Sequence, residues 1–70
     1  MIKITKSSEK LGRKIQKRRK EIGYTQEELA ERVNLSRTHM GHIEQGRKSP
    51  SIKVLEKIAK ALKTSPSSFF

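Results

Sequence analysis

The run Ser36-Arg37-Thr38-His39-Met40-Gly41-His42 holds side chains that can meet the edge of a nucleic-acid base. An arginine fork pairs with guanine O6 and N7 and supplies about 1–3 kcal/mol of discrimination against the wrong base. Arg37 stands where a helix over this stretch would begin. Thr38 can touch a thymine methyl or donate to a base, and His42, one turn further on, can donate to an acceptor. His39 is better placed for the rim or a phosphate. Catalytic alternatives lack their residues. The chain has no Cys, no Asp, a single Tyr and no glycine-rich phosphate loop, so neither a Ser-His-Asp triad nor a nucleotide-binding fingerprint can be assembled, and no enzymatic activity is expected. His39 and His42 could share a metal, but the third ligand would have to be a Glu and none lies on the same outward face. No metal or other cofactor is expected.

These residues need short helices to position them. From Ser8 onward Leu11, Ile15 and Ile22 recur at helical intervals, with Arg19 on the same inward side, and Gly23 ends the run. Thr25-Gln26-Glu27-Glu28 has the reciprocal capping pattern, in which a hydroxyl accepts from the amide three residues on and a Glu reaches back. It precedes Leu29, Ala30 and Val33 in a short second helix. Asn34 suits a left-handed turn, and Ser36 caps a third helix from Arg37 to about Glu44, closed by Gly46. With Met40, Ile43 and Glu44 inward, Thr38, Gly41, His42 and Gln45 project outward, flanked by Arg37 and His39. Ser51 caps a fourth helix whose apolar set is Ile52, Leu55, Ile58, Ala59 and Leu62. Ser65-Pro66 opens a terminal turn that carries Phe69 and Phe70. No segment alternates as a strand would. The fold class expected is all-α, a compact bundle of four to five short helices, with residues 1–7 a basic lead-in and residues 8–70 one domain.

Seventy residues of which 31% are hydrophobic can build only a small core, and a chain of this size is marginal unless well packed or oligomeric. The formal charge of +10 favours a polyanionic partner. It is unevenly spread: residues 1–20 carry +8, residues 21–46 carry −3 and residues 47–70 carry +5. The acids Glu27, Glu28 and Glu31 fall on the second helix, where capping and the helix dipole use them, so the positive field comes from the flanking segments. Arg47 and Lys48 follow the third helix directly and are placed to meet phosphates. The inward positions of Arg19 and Glu44 suggest an ion pair. No apolar run approaches the length of a membrane span, and the N-terminus lacks the pattern of a secretory signal. A basic amphipathic membrane helix explains the capped short helices less well than a packed bundle does.

Two short helices joined by a tight turn, the second capped by Ser36, fit the helix-turn-helix arrangement, whose second helix enters the DNA major groove. The stretch from Tyr24 to Leu62 resembles the Cro/repressor-type helix-turn-helix family, with its lambda-repressor-like DNA-binding fold. The likeness is carried by Thr25-Gln26-Glu27-Glu28-Leu29-Ala30, Ile43-Glu44-Gln45-Gly46 and Pro50-Ser51. Ser36-Arg37-Thr38-His39 and Ser67-Ser68-Phe69-Phe70 look most like the small controller proteins of restriction–modification systems. The resemblance implies a cytoplasmic, sequence-specific regulator of transcription that binds double-stranded DNA as a homodimer. Arg37, Thr38, Gly41 and His42 would face bases. Thr25, Gln26, Ser36, His39, Arg47 and Lys48 would hold the backbone, and Phe69 and Phe70 would meet the second subunit, unless one of them covers the bundle instead. A contact to RNA polymerase would be needed for activation, and no residue marks one. The alternative is an antitoxin-type module that binds a protein as well as its own operator.

Overall fold

A computed structural model describes residues 6–70, and the first five residues of the expected lead-in lie outside it. Four α-helices follow in order: α1 (Lys6–Ile22), α2 (Gln26–Arg32), α3 (Arg37–Glu44) and α4 (Ile52–Ala61), with a terminal 3-10 turn over Pro66–Phe69. The first helix starts two residues upstream of Ser8, so Lys6 and Ser7 of the expected lead-in are helical. The caps are the expected ones. Thr25 and Glu28 close a complete capping box on α2, with the Thr25 side chain accepting from the Glu28 amide and the Glu28 carboxylate accepting from the Thr25 amide. Ser36 accepts from the His39 amide, and Ser51 from the Val54 amide. Gly23 and Gly46 take positive φ of 96° and 79° and stop α1 and α3; Asn34 turns the chain after α2 at φ 59°. The fourth stop falls on Lys63, at φ 56°, a residue that carries no turn signal.

One cluster forms the core: Ile15, Leu29, Ala30, Val33, Met40, Ile43, Leu55, Ile58, Ala59, Leu62 and Phe69, with Leu11, Ile22, Tyr24, Leu35, Val54 and Ala61 packed half-buried against it. Two expectations change. Ile52 is 78% exposed because it occupies the first turn of α4: it has the angular position of the apolar stripe, but the neighbours that cover Leu55 and Ile58 do not reach it. Phe69, expected at a subunit interface, is 4% exposed. Pro66 starts the terminal turn, which returns the chain against α4 and α1 and delivers that ring to the core. Phe70 stays 78% exposed.

A contact that periodicity does not signal sets how α1 meets α3. A Cβ on Gly12 would run into the carbonyl oxygens of Glu44 and Ile43, the latter at 2.5 Å. Only glycine lets the two backbones pass this closely. Gly46 repeats the theme one turn earlier along α1, where its Cβ would stand 2.9 Å from the Glu9 Cα. The C-terminal end of α3 is therefore seated directly on α1.

Candidate nucleic-acid interface

The outer face of α3 depends on a charged lock beneath it. Arg19 of α1 donates from Nε to Glu44 Oε2 at 2.7 Å and from Nη2 to Glu44 Oε1 at 3.0 Å. Its Nη1 donates to the Tyr24 carbonyl at 2.8 Å. Gln26 Nε2 adds a third donor to Glu44, 3.2 Å from Oε1. Arg19 is 8% exposed and Glu44 5%. Two parallel N–H···O bonds fix distance and plane together, so one carboxylate ties the end of α3 to α1 and to the first residue of α2. Arg32 stacks over the Tyr24 ring at 4.4 Å from its centroid, which steadies the turn into α2 from the other side.

Two hollows flank the start of α3. One, of about 290 Å³, is lined by Thr25, Gln26, Glu27 and Arg37 and spans the N-terminal ends of α2 and α3. The other, of about 270 Å³, is lined by Ser36, Thr38, His39, His42 and Lys48. Arg37 and Thr38 are exposed between them. Eight of the ten residues expected to face DNA thus fall into two adjoining depressions on one face. Gly41 and Arg47 do not line either. Arg47 is exposed just past α3, and its amide donates to the His42 carbonyl at 2.9 Å.

Three expected placements are modified. Gly41 does not stand clear of the protein: it is half-buried, and a Cβ there would meet Gln26 Oε1 at 3.4 Å. Gln26 is half-buried too, with its amide nitrogen already donating to Glu44. What it offers a phosphate is its second amide hydrogen and the backbone amides at the start of α2, where the helix dipole favours an anion. His42 is half-buried rather than projecting, and its Nδ1 is closed off from solvent without a hydrogen-bond partner. Helical projection places a residue around the axis but does not see the turn after Glu44 folding back, with the amides of Arg47 and Lys48 both donating to the His42 carbonyl. Glu27 is the residue that sequence reasoning left out of the site. It lies ten residues from Arg37, across the turn, and only the folded hairpin brings the two to one hollow.

The local electrostatics are mixed. Arg37, Arg47 and Lys48 present positive charge along the edge of α3, whereas Glu27 and Glu28 open α2. Hydrogen bonds from the Thr25 backbone amide and side chain hold the Glu28 carboxyl below its ordinary value, so it stays ionised as part of the cap. His39 and His42 share their hollow with no carboxylate, and among the described residues no group of three or more metal-ligating side chains comes together.

Comparison with known proteins fits this arrangement. A helix-turn-helix family model matches residues 15–69. Over 48 residues, 69% of this chain and 70% of the relative, the sequence is 52% identical to an uncharacterized HTH-type transcriptional regulator of Methanothermobacter thermautotrophicus. It is 46% identical over 52 residues to the immunity repressor protein of Bacillus phage phi105, spanning 74% of this chain but only 36% of the repressor. Among solved structures, the restriction-modification controller protein C.AhdI of Aeromonas hydrophila superposes with a TM-score of 0.91 at 30% identity, covering 94% of this chain and all of that one. With the capped α2–turn–α3 pair and the lock beneath it, these matches establish that the chain belongs to the Cro/repressor-type helix-turn-helix family of DNA-binding transcriptional regulators.

Proposed function

We propose that the chain binds operator half-sites as a homodimer, with α3 in the major groove and Arg37 as its leading base-reading residue. The observation that carries this reading is the exposure of Arg37 and Thr38 at the start of α3, between two hollows whose linings, Glu27 apart, offer donors suited to the flanking phosphates. Arg37 takes a guanine, Thr38 a thymine methyl or a base acceptor, and His42 a second base. Thr25, Gln26, Ser36, His39, Arg47 and Lys48 hold the backbone on either side. Gly41 keeps the side of α3 next to Gln26 low, so that the amide at the start of α2 and the outer edge of α3 reach the duplex together.

Phe70, a large apolar side chain left in water, serves the dimer in place of the buried Phe69. A two-fold dimer of this motif places its recognition helices about one helical turn of DNA apart, roughly 34–36 Å. The similarity to C.AhdI and to the phage immunity repressor favours control of a restriction–modification or phage-type operator. Selection from randomised duplex DNA, carried out with the wild type and with Arg37→Ala, tests the reading. It predicts two inverted half-sites for the wild type and loss of a guanine preference, at one position in each, for the variant. Identical selected sites from both proteins would refute it.

A further inference from the structure

His42 is unusual among the side chains at the interface because its two ring nitrogens have different surroundings. Nδ1 is sealed against protein with nothing to bond, while the accessible part of the ring lines the hollow shared with Ser36, Thr38, His39 and Lys48. A neutral imidazole carries one hydrogen, on either nitrogen, and the other nitrogen is an acceptor. Placing that hydrogen on Nδ1 would seat an N–H where solvent does not reach and no protein acceptor stands within bonding distance. Buried donors without acceptors are among the rarest features of folded proteins. A lone pair in the same place needs no additional room. The hydrogen therefore belongs on Nε2.

We infer that His42 is held in the Nε2–H form and so reads acceptors only: it accepts a guanine, adenine or thymine edge and rejects cytosine at its position in each half-site. This inference rests on the major-groove placement of α3. In that groove guanine presents two adjacent acceptors, N7 and O6; adenine and thymine each present one, and cytosine presents only the N4 donor. If Nδ1 carried the hydrogen instead, Nε2 would be the acceptor of the neutral ring and would favour the cytosine N4 donor. The other titratable side chains lining the hollow, His39 and Lys48, carry only positive charge when ionised; they alter overall affinity for DNA, not the hydrogen-bonding sense of the His42 edge.

Two measurements on the full chain test this. In the free protein, long-range nitrogen–proton correlation spectra of the His42 ring near neutral pH are expected to show Nε2 as the protonated nitrogen and Nδ1 as the bare one. The reverse pattern, or averaged shifts from both forms, overturns the proposal. Selection from randomised duplexes is then run near neutral pH with the wild type and with His42→Ala whose folding has been verified by its melting curve. The position whose preference disappears in the variant is expected to favour guanine over cytosine about tenfold, the scale of one good base contact. A cytosine preference or unchanged selectivity in the variant overturns it while leaving the regulator reading standing. A wild type that selects no sequence refutes that broader reading and removes this proposal with it.

Discussion

Removing the Glu44 carboxylate while leaving Arg19 in place should come close to unfolding the protein. In Glu44→Leu the guanidinium, 8% exposed, loses both bonds from Nε and Nη2 and keeps only the one from Nη1 to the Tyr24 carbonyl. A buried charge stranded in this way costs about 3–5 kcal/mol. A domain of this length has a core that rarely supplies more than about 3–5 kcal/mol in total, so the loss is comparable with the whole stability. For a domain of this size each kcal/mol moves the melting temperature by about 4–8 °C, and the expected fall is on the order of 15 °C or more. Arg19→Met strands the carboxylate instead and should cost a similar amount. The double variant Arg19→Met/Glu44→Leu removes both charges, and replacing a buried pair by apolar groups of similar volume is often neutral or stabilising. It should regain most of the lost stability, with Gln26 turning its amide to water. Urea denaturation of the four proteins closes the cycle without adding salt that would screen the pair. Single variants that each lose less than about 1 kcal/mol, the range of an exposed pair, would show that the lock does not hold α3. A double variant no more stable than the singles would show that the cost lies in shape and not in stranded charge.

Three further outcomes follow from the geometry. Two glycine substitutions should act in opposite directions: Gly12→Ala forces a methyl into the Ile43 and Glu44 carbonyls and should destabilise by about 1–3 kcal/mol or more, the cost of overpacking. Gly41→Ala meets only the flexible Gln26 side-chain amide, Oε1 nearest at 3.4 Å, and should raise stability by up to about 1 kcal/mol through helix propensity while weakening operator binding, both read by thermal melts and a binding titration. Because the Glu28 carboxyl is held below its ordinary value by the Thr25 hydrogen bonds, its contribution is present above the unfolded-state value and lost as pH falls through the depressed one. The protection of the Thr25 and Glu28 amides against exchange, relative to their intrinsic rates at each pH, should therefore fall on acidification below the usual carboxylate range, and Glu28→Gln should flatten that dependence. If each subunit neutralises roughly four phosphates, the logarithm of affinity should fall against the logarithm of salt concentration with a slope near about −7 for the dimer; a slope near zero would rule out the backbone contacts.

Local chemistry made most of the fold readable in advance. Thr25, Ser36 and Ser51 name their helices' starting points because a side-chain oxygen at each satisfies an amide that the helix cannot, and Gly23, Asn34 and Gly46 name the stops because they tolerate positive φ. The inward sides of α1 and α3 followed from period, which was enough to bring Arg19 and Glu44 to a common interior. What stayed hidden depends on contacts between segments far apart in the chain. Gly12 is a helix-weakening residue whose reason appears only when α3 is laid across it. Ile52 satisfies the periodic pattern of α4, but period gives an angle and not the length over which neighbours cover the helix. Phe69 and Phe70 are adjacent and chemically identical, and only the turn begun by Pro66 decides which enters the core. At the interface, spacing placed the side of α3 that holds Arg37 and Thr38, yet neither the sealed Nδ1 of His42 nor the bond from Gln26 to Glu44 is visible without the folded turn.

The central claim is that Arg37 reads guanine from the outer edge of α3, and a mutant cycle across the interface tests it most directly. Once the operator is selected, binding is measured for the wild type and Arg37→Ala on that operator and on a copy with 7-deazaguanine at the Arg37-dependent position, all at one salt concentration. The account predicts a coupling of about 1–3 kcal/mol between the arginine and the guanine N7. Effects that simply add, within about 0.5 kcal/mol, would contradict it.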